Sequence, residues 1–462
     1  MRFLRERLRA LEMATRPVPD ELQAAPERRW AELPAHARTP AQVLGRHSAG
    51  CEGTHGVFPR CDLACTPCYH SRAANRVRTD GAHTVAEVER QMALLRALRG
   101  PGQHAQLIGG EVSLLSPDDH AAALAAMLRH GRKPMSMSHG DFDYEYLEAL
   151  ALGPDGRPRF SHLAFAAHFD SLMHGRRGIR RARGEAELNP YRERLCAMFQ
   201  RLEREHGITH YLAHNMTVTP RNLDQVARVV RDCREMGFRM FSFQPAAYIG
   251  NRNRWKEPYR ALSGDDVWRE IERGVGTRLP FRIFQMGDER CNRTTHGILV
   301  GDRFMPLVDD RVPADHGVRD AFYATFGGMD FQAPRALLVA RLARALATNP
   351  RALATGAGWA GRFAARAGIV PLLCERCRPL TLVMHSFMDA RDVQPAWEAL
   401  RRGEHSSDPR IRATQERLQA CSYAMAHPET GDLVPACVQH AVLDPHENLR
   451  LQQILPLRRP RS

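Results

Sequence analysis

Short apolar segments alternate with amphipathic segments between residues 57 and 243, and this alternation restricts the fold of the chain more than any other feature. Short apolar runs are typical of buried strands, and apolar residues three or four apart are typical of helices. The predicted strands are residues 57–60, 105–108, 134–137, 163–169, 211–218 and 238–243. The predicted helices between them are residues 84–98, 118–129, 144–152, 190–206 and 222–236. Six such units, joined by right-handed crossovers, predict an α/β fold whose parallel sheet forms a partial (β/α)6 barrel of the TIM type.

Three cysteines follow the first predicted strand in the run C-D-L-A-C-T-P-C, as Cys61, Cys65 and Cys68. Most [4Fe–4S] clusters are held by four cysteine thiolates. A loop with three thiolates leaves one iron of such a cluster without a protein ligand, and an open metal position is typical of a catalytic site. A zinc site is the alternative for these cysteines, although zinc sites usually have two well-separated ligand pairs.

Polar residues lie at or near the ends of the other predicted strands. The second strand ends in Gly109, Gly110 and Glu111. A glycine pair lets the backbone approach a ligand closely, and a carboxylate accepts hydrogen bonds from an ammonium group. The later polar groups are S-H-G at 138–140, H-F-D-S at 168–171, H-N-M-T at 214–217 and S-F-Q-P at 242–245. Because the carboxyl ends of strands in a βα barrel face a common site, we expect these groups to share one rim.

The C-x3-C-x2-C spacing resembles the cluster loop of the radical S-adenosylmethionine (radical SAM) enzymes, with Pro67 where that superfamily usually has an aromatic residue. The resemblance implies a partial barrel of the radical SAM type, in which Cys61, Cys65 and Cys68 hold a [4Fe–4S] cluster and the open iron binds S-adenosylmethionine (SAM). It also implies reductive cleavage of SAM to a 5′-deoxyadenosyl radical that abstracts hydrogen from a substrate. An electron donor such as a flavodoxin or a ferredoxin would then be a partner.

The same resemblance assigns residues to the cofactor. The family segment that holds the methionine amino group of SAM is matched by Gly109, Gly110 and Glu111. Ser138 matches a family position near the SAM ribose, and Gln244, near the end of the sixth strand, is predicted to join the cofactor site. The motifs assign no catalytic residue, and the candidates for contact with substrate or radical are Tyr69, His168 and Cys291.

The last part of the chain carries four further cysteines that are candidate metal ligands: Cys374, Cys377, Cys421 and Cys437. They predict an auxiliary iron–sulfur cluster, with a zinc site or unpaired buried thiols as the alternatives. The phrases F-M-D-A at 387–390 and P-E-T-G-D-L-V-P-A-C at 428–437 resemble the C-terminal region of the tetraether lipid synthase-like group. In that group, radical SAM chemistry joins lipid chains through carbon–carbon bonds.

The formal net charge of the 462-residue chain is +14 and is carried almost wholly by arginine. This charge suits an anionic substrate or peripheral contact with a membrane surface. The basic residues are dispersed and no nucleic-acid-binding motif is present, so no nucleic acid partner is expected. No apolar run approaches the roughly 20 residues of a membrane span, and the first residues lack the apolar core of a secretory signal. A cytoplasmic location is therefore expected.

We predict four regions: an N-terminal lead-in (1–50), the core barrel (51–260), a mostly helical extension (261–369) and a cysteine-bearing C-terminal region (370–462). The leading hypothesis is a radical SAM enzyme whose substrate the sequence does not identify. A lipid or another apolar-chain molecule with an anionic headgroup fits the charge and the C-terminal phrases. One alternative is a radical SAM enzyme that matures a peptide or a protein. The other is a non-catalytic, zinc-dependent nucleic-acid-binding protein that uses the same cysteines.

Overall fold

The computed structural model describes residues 2–18, 20–68, 73–248, 262–331 and 334–457, so Tyr69 lies outside the described residues. The helices are α1 (Arg2–Thr15), α2 (Asp20–Glu32), α3 (Gly81–Arg99), α4 (Pro117–Arg129), α5 (Tyr144–Ala151), α6 (Asn189–His206), α7 (Val226–Cys233), α8 (Gly264–Val275), α9 (Pro313–Phe326), α10 (Arg335–Thr348), α11 (Pro350–Ala367), α12 (Ile369–Cys374), α13 (Ala390–Arg401), α14 (Pro409–Gln419), α15 (Ala436–Val438) and α16 (Asp444–Ile454). The strands are β1 (Cys51–Gly53), β2 (Ala64–Cys65), β3 (His104–Leu107), β4 (Lys133–Ser138), β5 (His162–His168), β6 (Met173–Arg176), β7 (Ile179–Arg181), β8 (Thr209–Val218), β9 (Met240–Pro245), β10 (Asn292–Val300), β11 (Arg303–Pro306), β12 (Cys377–His385), β13 (Tyr423–His427) and β14 (Asp432–Pro435).

Eleven of these strands form one mixed sheet in the order β11-β10-β12-β9-β8-β5-β4-β3-β1-β13-β14. The eight neighbouring strands from β12 to β13 are all parallel. Antiparallel strands flank them, with β10 and β11 on one side and β14 on the other. The strands β2, β6 and β7 form a separate antiparallel sheet. The predicted α/β fold with a parallel sheet is therefore confirmed.

Five of the six predicted strands overlap β3, β4, β5, β8 and β9, and the five predicted helices overlap α3 to α7. The predicted first strand, residues 57–60, is wrong, because the strand that pairs with β3 is β1. Val57 and Phe58 are buried all the same. They belong to the segment between β1 and the cysteine loop, which packs against the end of β3, where the carbonyl of Phe58 accepts a hydrogen bond from the Gly110 amide (2.7 Å). Their apolar character therefore reflects packing rather than a place in the strand ladder.

The C-terminal region contributes two parallel strands that the sequence analysis did not assign. β12 pairs with β9, and β13 pairs with β1, so residues from 377 onwards extend the parallel sheet on both sides. The five correctly predicted strands therefore make up only part of the parallel sheet, and the cysteine-bearing region is integrated with it rather than appended.

The core is built around the side chains between the sheet and its outer helices. Phe165 of β5 meets Phe199 of α6 edge to face, with 5.0 Å between the ring centroids. Two ion pairs are wholly buried there as well, Arg132 with Glu52 and Arg192 with Glu185. Removing one partner of such a pair leaves an uncompensated charge and typically costs about 3–5 kcal/mol. In the described residues, no helix is both long enough and apolar enough to cross a bilayer.

Candidate functional site

The cysteine loop leaves the sheet just beyond β1, at the carboxyl edge of the parallel strands. Its middle is fixed by pairing between β2 and β6, which places Cys65 opposite Met173. The loop is also tied at its start, where the amide of Cys61 donates to Oδ1 of Asn75 (3.1 Å). The hairpin of β6 and β7 follows β5, and the sequence analysis did not predict it. The loop is therefore held by an insertion after β5 as well as by Asn75.

Cys61 lies beside ionisable groups of its own loop and of two other parts of the chain. Burial, followed by the charge of Glu111 and the neighbouring Cys68, raises the pKa of Cys61 to about 12. Among the described residues, the sulfur of Cys61, a carboxylate oxygen of Asp62 and a ring nitrogen of His139 all lie within 4.8 Å of one another. A coordinated metal ion removes the proton from such a thiol. A set of one thiolate, one imidazole and one carboxylate lies within the range of ligands that zinc and other transition metals accept.

Glu111 is buried and its carboxylate is held in place by neighbours from two strand ends. Oε1 accepts hydrogen bonds from the Ser113 amide (3.0 Å), the Ser113 hydroxyl (2.6 Å) and the Ser138 hydroxyl (2.7 Å). Oε2 accepts from the His139 amide (2.8 Å), and the Nε2 atom of His139 lies 3.4 Å away. The structure thus brings together Glu111 and Ser138, both of which the sequence assigned to the cofactor.

The glycine pair before Glu111 packs against the chain itself. A Cβ atom at Gly110 would lie 2.0 Å from the carbonyl oxygen of Arg60, and one at Gly109 would lie 2.7 Å from the ring of Phe58. The amide of Glu111 also donates to the carbonyl of Arg60 (2.8 Å). The contacts present in the structure therefore explain the two glycines by close packing of β3 on the segment that leads into the cysteine loop.

The rim continues across the next strands. His168, at the end of β5, contacts Asp170 (2.6 Å) and the Thr217 hydroxyl (3.2 Å) through Nε2. Thr217 is paired in register with Gln244 of β9. The Nε2 atom of Gln244 donates to the Ser242 hydroxyl (2.8 Å), and its buried Oε1 has no hydrogen-bond partner among the described residues. This unpaired acceptor leaves Gln244 able to bind a donor.

His214 does not belong to the rim, although the sequence analysis grouped it with the strand ends. It is fully buried, and its Nε2 atom accepts a hydrogen bond from Nε of Arg192 (3.0 Å). Burial lowers the pKa of His214 well below its ordinary value, with a further contribution from the Arg192 charge. The ring is therefore neutral and has a structural role.

The four cysteines assigned to an auxiliary cluster are not brought together in the described structure. Cys374 and Cys377 are exposed and lie at the amino end of β12. At the other end of that strand, the Ser386 amide donates to the carbonyl of Cys291, and Cys291 lies near Cys421 and Cys437. A nine-residue strand spans roughly 25–30 Å. A cluster held by all four residues does not fit this arrangement.

A histidine and carboxylate network beside β1 was missed by the sequence analysis. The ring of His55 contacts Oε1 of Glu447 (2.7 Å) and the carbonyl of Ala426 (2.8 Å), and it stacks on the ring of His427 at 4.1 Å. Gln439, in a π-helical turn, donates to Glu447 (3.2 Å). The run D-P-H-E-N at 444–448 was the available signal, but its approach to β1 depends on the pairing of β13 with β1.

A cavity of about 10 Å³ lies between this network and the strand ends, lined by residues that include Gly109, His440 and Asn448. This is about the volume that one water molecule occupies. Asn448 is 3% exposed, and its Nδ2 has no hydrogen-bond partner among the described residues. The C-terminal helix α16 therefore closes one side of the carboxyl edge with polar groups.

No protein-family model matches this chain, and no curated protein matches it. Among solved structures, it is similar to native anSMEcpe with bound AdoMet, at 14% sequence identity and a TM-score of 0.31. That alignment covers 49% of this chain and 62% of anSMEcpe, less than two thirds of that protein. A structure of TYW1 with a lysine–pyruvate adduct bound is similar at 14% identity and a TM-score of 0.30, over 48% of this chain and 72% of TYW1. Similarity at this level does not by itself define a fold or an activity.

Proposed function

We propose that this chain is a radical SAM enzyme with a partial (β/α)6 barrel. The observation that carries the proposal is the position of the C-x3-C-x2-C loop at the carboxyl edge of the parallel sheet, with Cys61 beside Glu111. Cys61, Cys65 and Cys68 would hold a [4Fe–4S] cluster. When bound, that cluster would supply the electron that cleaves SAM to methionine and a 5′-deoxyadenosyl radical.

The chain's own residues support binding of SAM at this edge. Oε1 of Glu111 is occupied by three donors, whereas Oε2 accepts from one amide and has the Nε2 atom of His139 at 3.4 Å. A carboxylate has about four lone-pair sites, so Oε2 retains capacity for the ammonium group of a methionine. Ser138 and His139 fix the orientation of the carboxylate, and the unpaired Oε1 of Gln244 offers an acceptor two strands beyond β5 on the same rim.

Burial at the carboxyl edge supports hydrogen abstraction rather than quenching by solvent. Glu111, Ser138 and His139 are each at most 5% exposed. The helix α16 and the turn before it cover the side next to β1, where the cavity is too small for more than about one water molecule. A radical formed at this buried edge would therefore react with substrate more often than with water.

The substrate belongs to the same proposal. We take it to be a lipid chain with an anionic headgroup, which is supported by the phrases at 387–390 and 428–437 and by the excess of arginine. Hydrogen abstraction from an unactivated carbon is the chemistry that joining such chains requires. An electron donor such as a flavodoxin or a ferredoxin completes the proposal. A peptide-maturing enzyme is the alternative within the same chemistry.

The test is anaerobic reconstitution with iron and sulfide, followed by SAM and dithionite. We expect about four irons per chain and formation of 5′-deoxyadenosine. Cys65→Ala should lose the product, whereas the matched variant Cys377→Ala, at an exposed cysteine on the opposite edge, should keep both iron and product. Tight zinc without iron, and no 5′-deoxyadenosine, would overturn the proposal and favour a zinc-binding protein.

A further inference from the structure

The short helix α12 exposes large apolar side chains. Ile369, Val370 and Leu373 are 66%, 69% and 80% exposed, and they are the three most exposed large apolar residues in the described chain. Three aliphatic side chains on one turn of helix form a contiguous apolar projection, and such projections usually mark a contact surface. In the described residues, no element covers them.

A basic cleft lies directly after α12 along the chain. It has a volume of about 320 Å³ and lies at the amino ends of β8, β9 and β12. Four arginines line it, together with two glutamates: Arg234, Arg239, Arg376, Arg378, Glu203 and Glu235. A cleft of this volume is large enough for a small polar group such as a phosphate-containing headgroup.

The arginines of the cleft are unequally neutralised. Arg378 forms an ion pair with Glu235, and Arg234 donates to the carbonyl of Asp302 (2.8 Å). Arg239 and Arg376 are exposed, and their guanidinium groups have no ion pair or hydrogen bond with any residue that the structure describes. Two positive charges are therefore available to an anion beside the apolar projection.

We propose that α12 and this cleft form a docking face for a bilayer that contains anionic phospholipids, with Ile369, Val370 and Leu373 inserted among the acyl chains and Arg239 and Arg376 on the lipid phosphates. A free phosphate compound would account for the cleft, but it would leave the exposed aliphatic side chains unexplained. A purely apolar partner would leave the unpaired arginines without a counter-charge. A bilayer that contains anionic phospholipids supplies both, because its surface is anionic and the layer beneath that surface is apolar.

This docking face is on the edge of the sheet opposite the cysteine loop. β12 begins beside the cleft at Cys377 and ends at His385, so the two edges are separated by roughly 25–30 Å. The inference is thus independent of the proposed radical chemistry. A variant that lacks the cluster ligand Cys65 is expected to bind vesicles like the unmodified chain.

The experiment is sedimentation of the full chain with two kinds of vesicle. One contains phosphatidylcholine alone, and the other also contains about 30% of the anionic lipid phosphatidylglycerol. We expect binding to the anionic vesicles that weakens as salt is raised, because exposed charges are screened. Leu373→Asp and Arg376→Glu should each lower the affinity roughly tenfold. The matched controls are Leu128→Asp and Arg157→Glu, at exposed positions of α4 and of the loop after α5, and they should have little effect.

Three outcomes would overturn the docking face. Equal binding to neutral and anionic vesicles would remove the role of the arginines. Unchanged binding of Leu373→Asp would remove the role of the apolar projection. Complete displacement of vesicles by millimolar glycerol phosphate, with saturable binding of that compound alone, would assign the cleft to a small soluble anion. Circular dichroism of each variant separates loss of binding from loss of folding.

Discussion

Two short cysteine segments, the loop from Cys61 to Cys68 and the turn from Cys374 to Cys377, lie at opposite edges of the same parallel sheet. The loop is half-buried, paired with β6 and placed beside the buried Glu111 and His139. The turn is exposed, and its neighbours are the arginines of the basic cleft. Similar spacing along the chain therefore accompanies very different surroundings. The surroundings, more than the number of thiols, distinguish a candidate catalytic centre from a pair of surface cysteines.

The largest expected difference is in iron binding. Cys68→Ala should abolish the cluster and the formation of 5′-deoxyadenosine, because two thiolates do not hold a [4Fe–4S] cluster at the loop. The double variant Cys374→Ala/Cys377→Ala should retain the iron content of the unmodified chain. Iron and sulfide analysis after anaerobic reconstitution measures both. If the double variant lost about half of the iron, the exposed turn would hold a second cluster, and the contrast between the loop and the turn would be wrong.

A smaller effect is expected where β3 packs on the lead into the loop. Gly110→Ala places a Cβ atom 2.0 Å from the carbonyl of Arg60, so the backbone must move and the free energy of unfolding should fall by about 3 kcal/mol or more. The control is Gly317→Ala, in α9, where a Cβ atom meets nothing within 4 Å. That change should stabilise the helix by about 0.5–1 kcal/mol. Urea unfolding measures the stability of both variants. Equal stabilities of Gly110→Ala and Gly317→Ala would contradict the close packing of β3 on the segment before the cysteine loop.

Glu447→Gln tests whether the C-terminal region packs against the carboxyl edge of the sheet, through the contact of Glu447 with His55. Burial opposes the charged form of His55, but its hydrogen bond to Glu447 and the Glu447 charge raise the pKa of His55 overall. A histidine whose pKa is raised in the folded state contributes to folding stability. That contribution is fully present below the unfolded-state pKa of about 6.5, and it is lost as the pH rises through the folded-state pKa. We therefore expect Glu447→Gln to lower the free energy of unfolding by about 1–2 kcal/mol at pH 6, and by less at pH 9.

Urea unfolding of Glu447→Gln and of the unmodified chain at both pH values provides the measurement. Glu404→Gln is a suitable control, because Glu404 pairs with Arg402 at the surface and such pairs contribute little. If the loss of unfolding free energy caused by Glu447→Gln were larger at pH 9 than at pH 6, the ion pair between Glu447 and His55 would be ruled out.

The smallest expected effect concerns thiol reactivity in the metal-free protein. Cys374 and Cys377 are exposed and should react with iodoacetamide under native conditions. Cys233 is fully buried, and burial raises its pKa to about 12, so it should react only after unfolding. Peptide mass spectrometry quantifies the modification. Native modification of Cys233 at the rate of Cys374 would show that the core around α7 opens readily.

Several features of the fold were predictable because their signals are local. The alternation of apolar runs and helical stripes placed β3, β4, β5, β8 and β9 in order along the sheet. The segment that includes Val57 and Phe58 was misassigned, because a buried loop segment and a buried strand have the same apolar signature. β13 was missed because a short apolar run such as Y-A-M-A is equally typical of a buried helix segment, and its pairing with β1 joins positions far apart in the chain.

For the candidate site, the sequence by itself determined the three-cysteine loop and the likeness of its spacing to a cluster loop, since residues within eight positions cannot separate far. It also singled out Glu111 and Ser138, which adjacent parallel strands bring to a 2.7 Å hydrogen bond. Only the tertiary structure separated Cys374 and Cys377 from Cys421 and Cys437, and only it placed Glu447 against His55. Those outcomes depend on which strands pair across the sheet, and the free energy of that pairing comes from burial and contacts between distant segments.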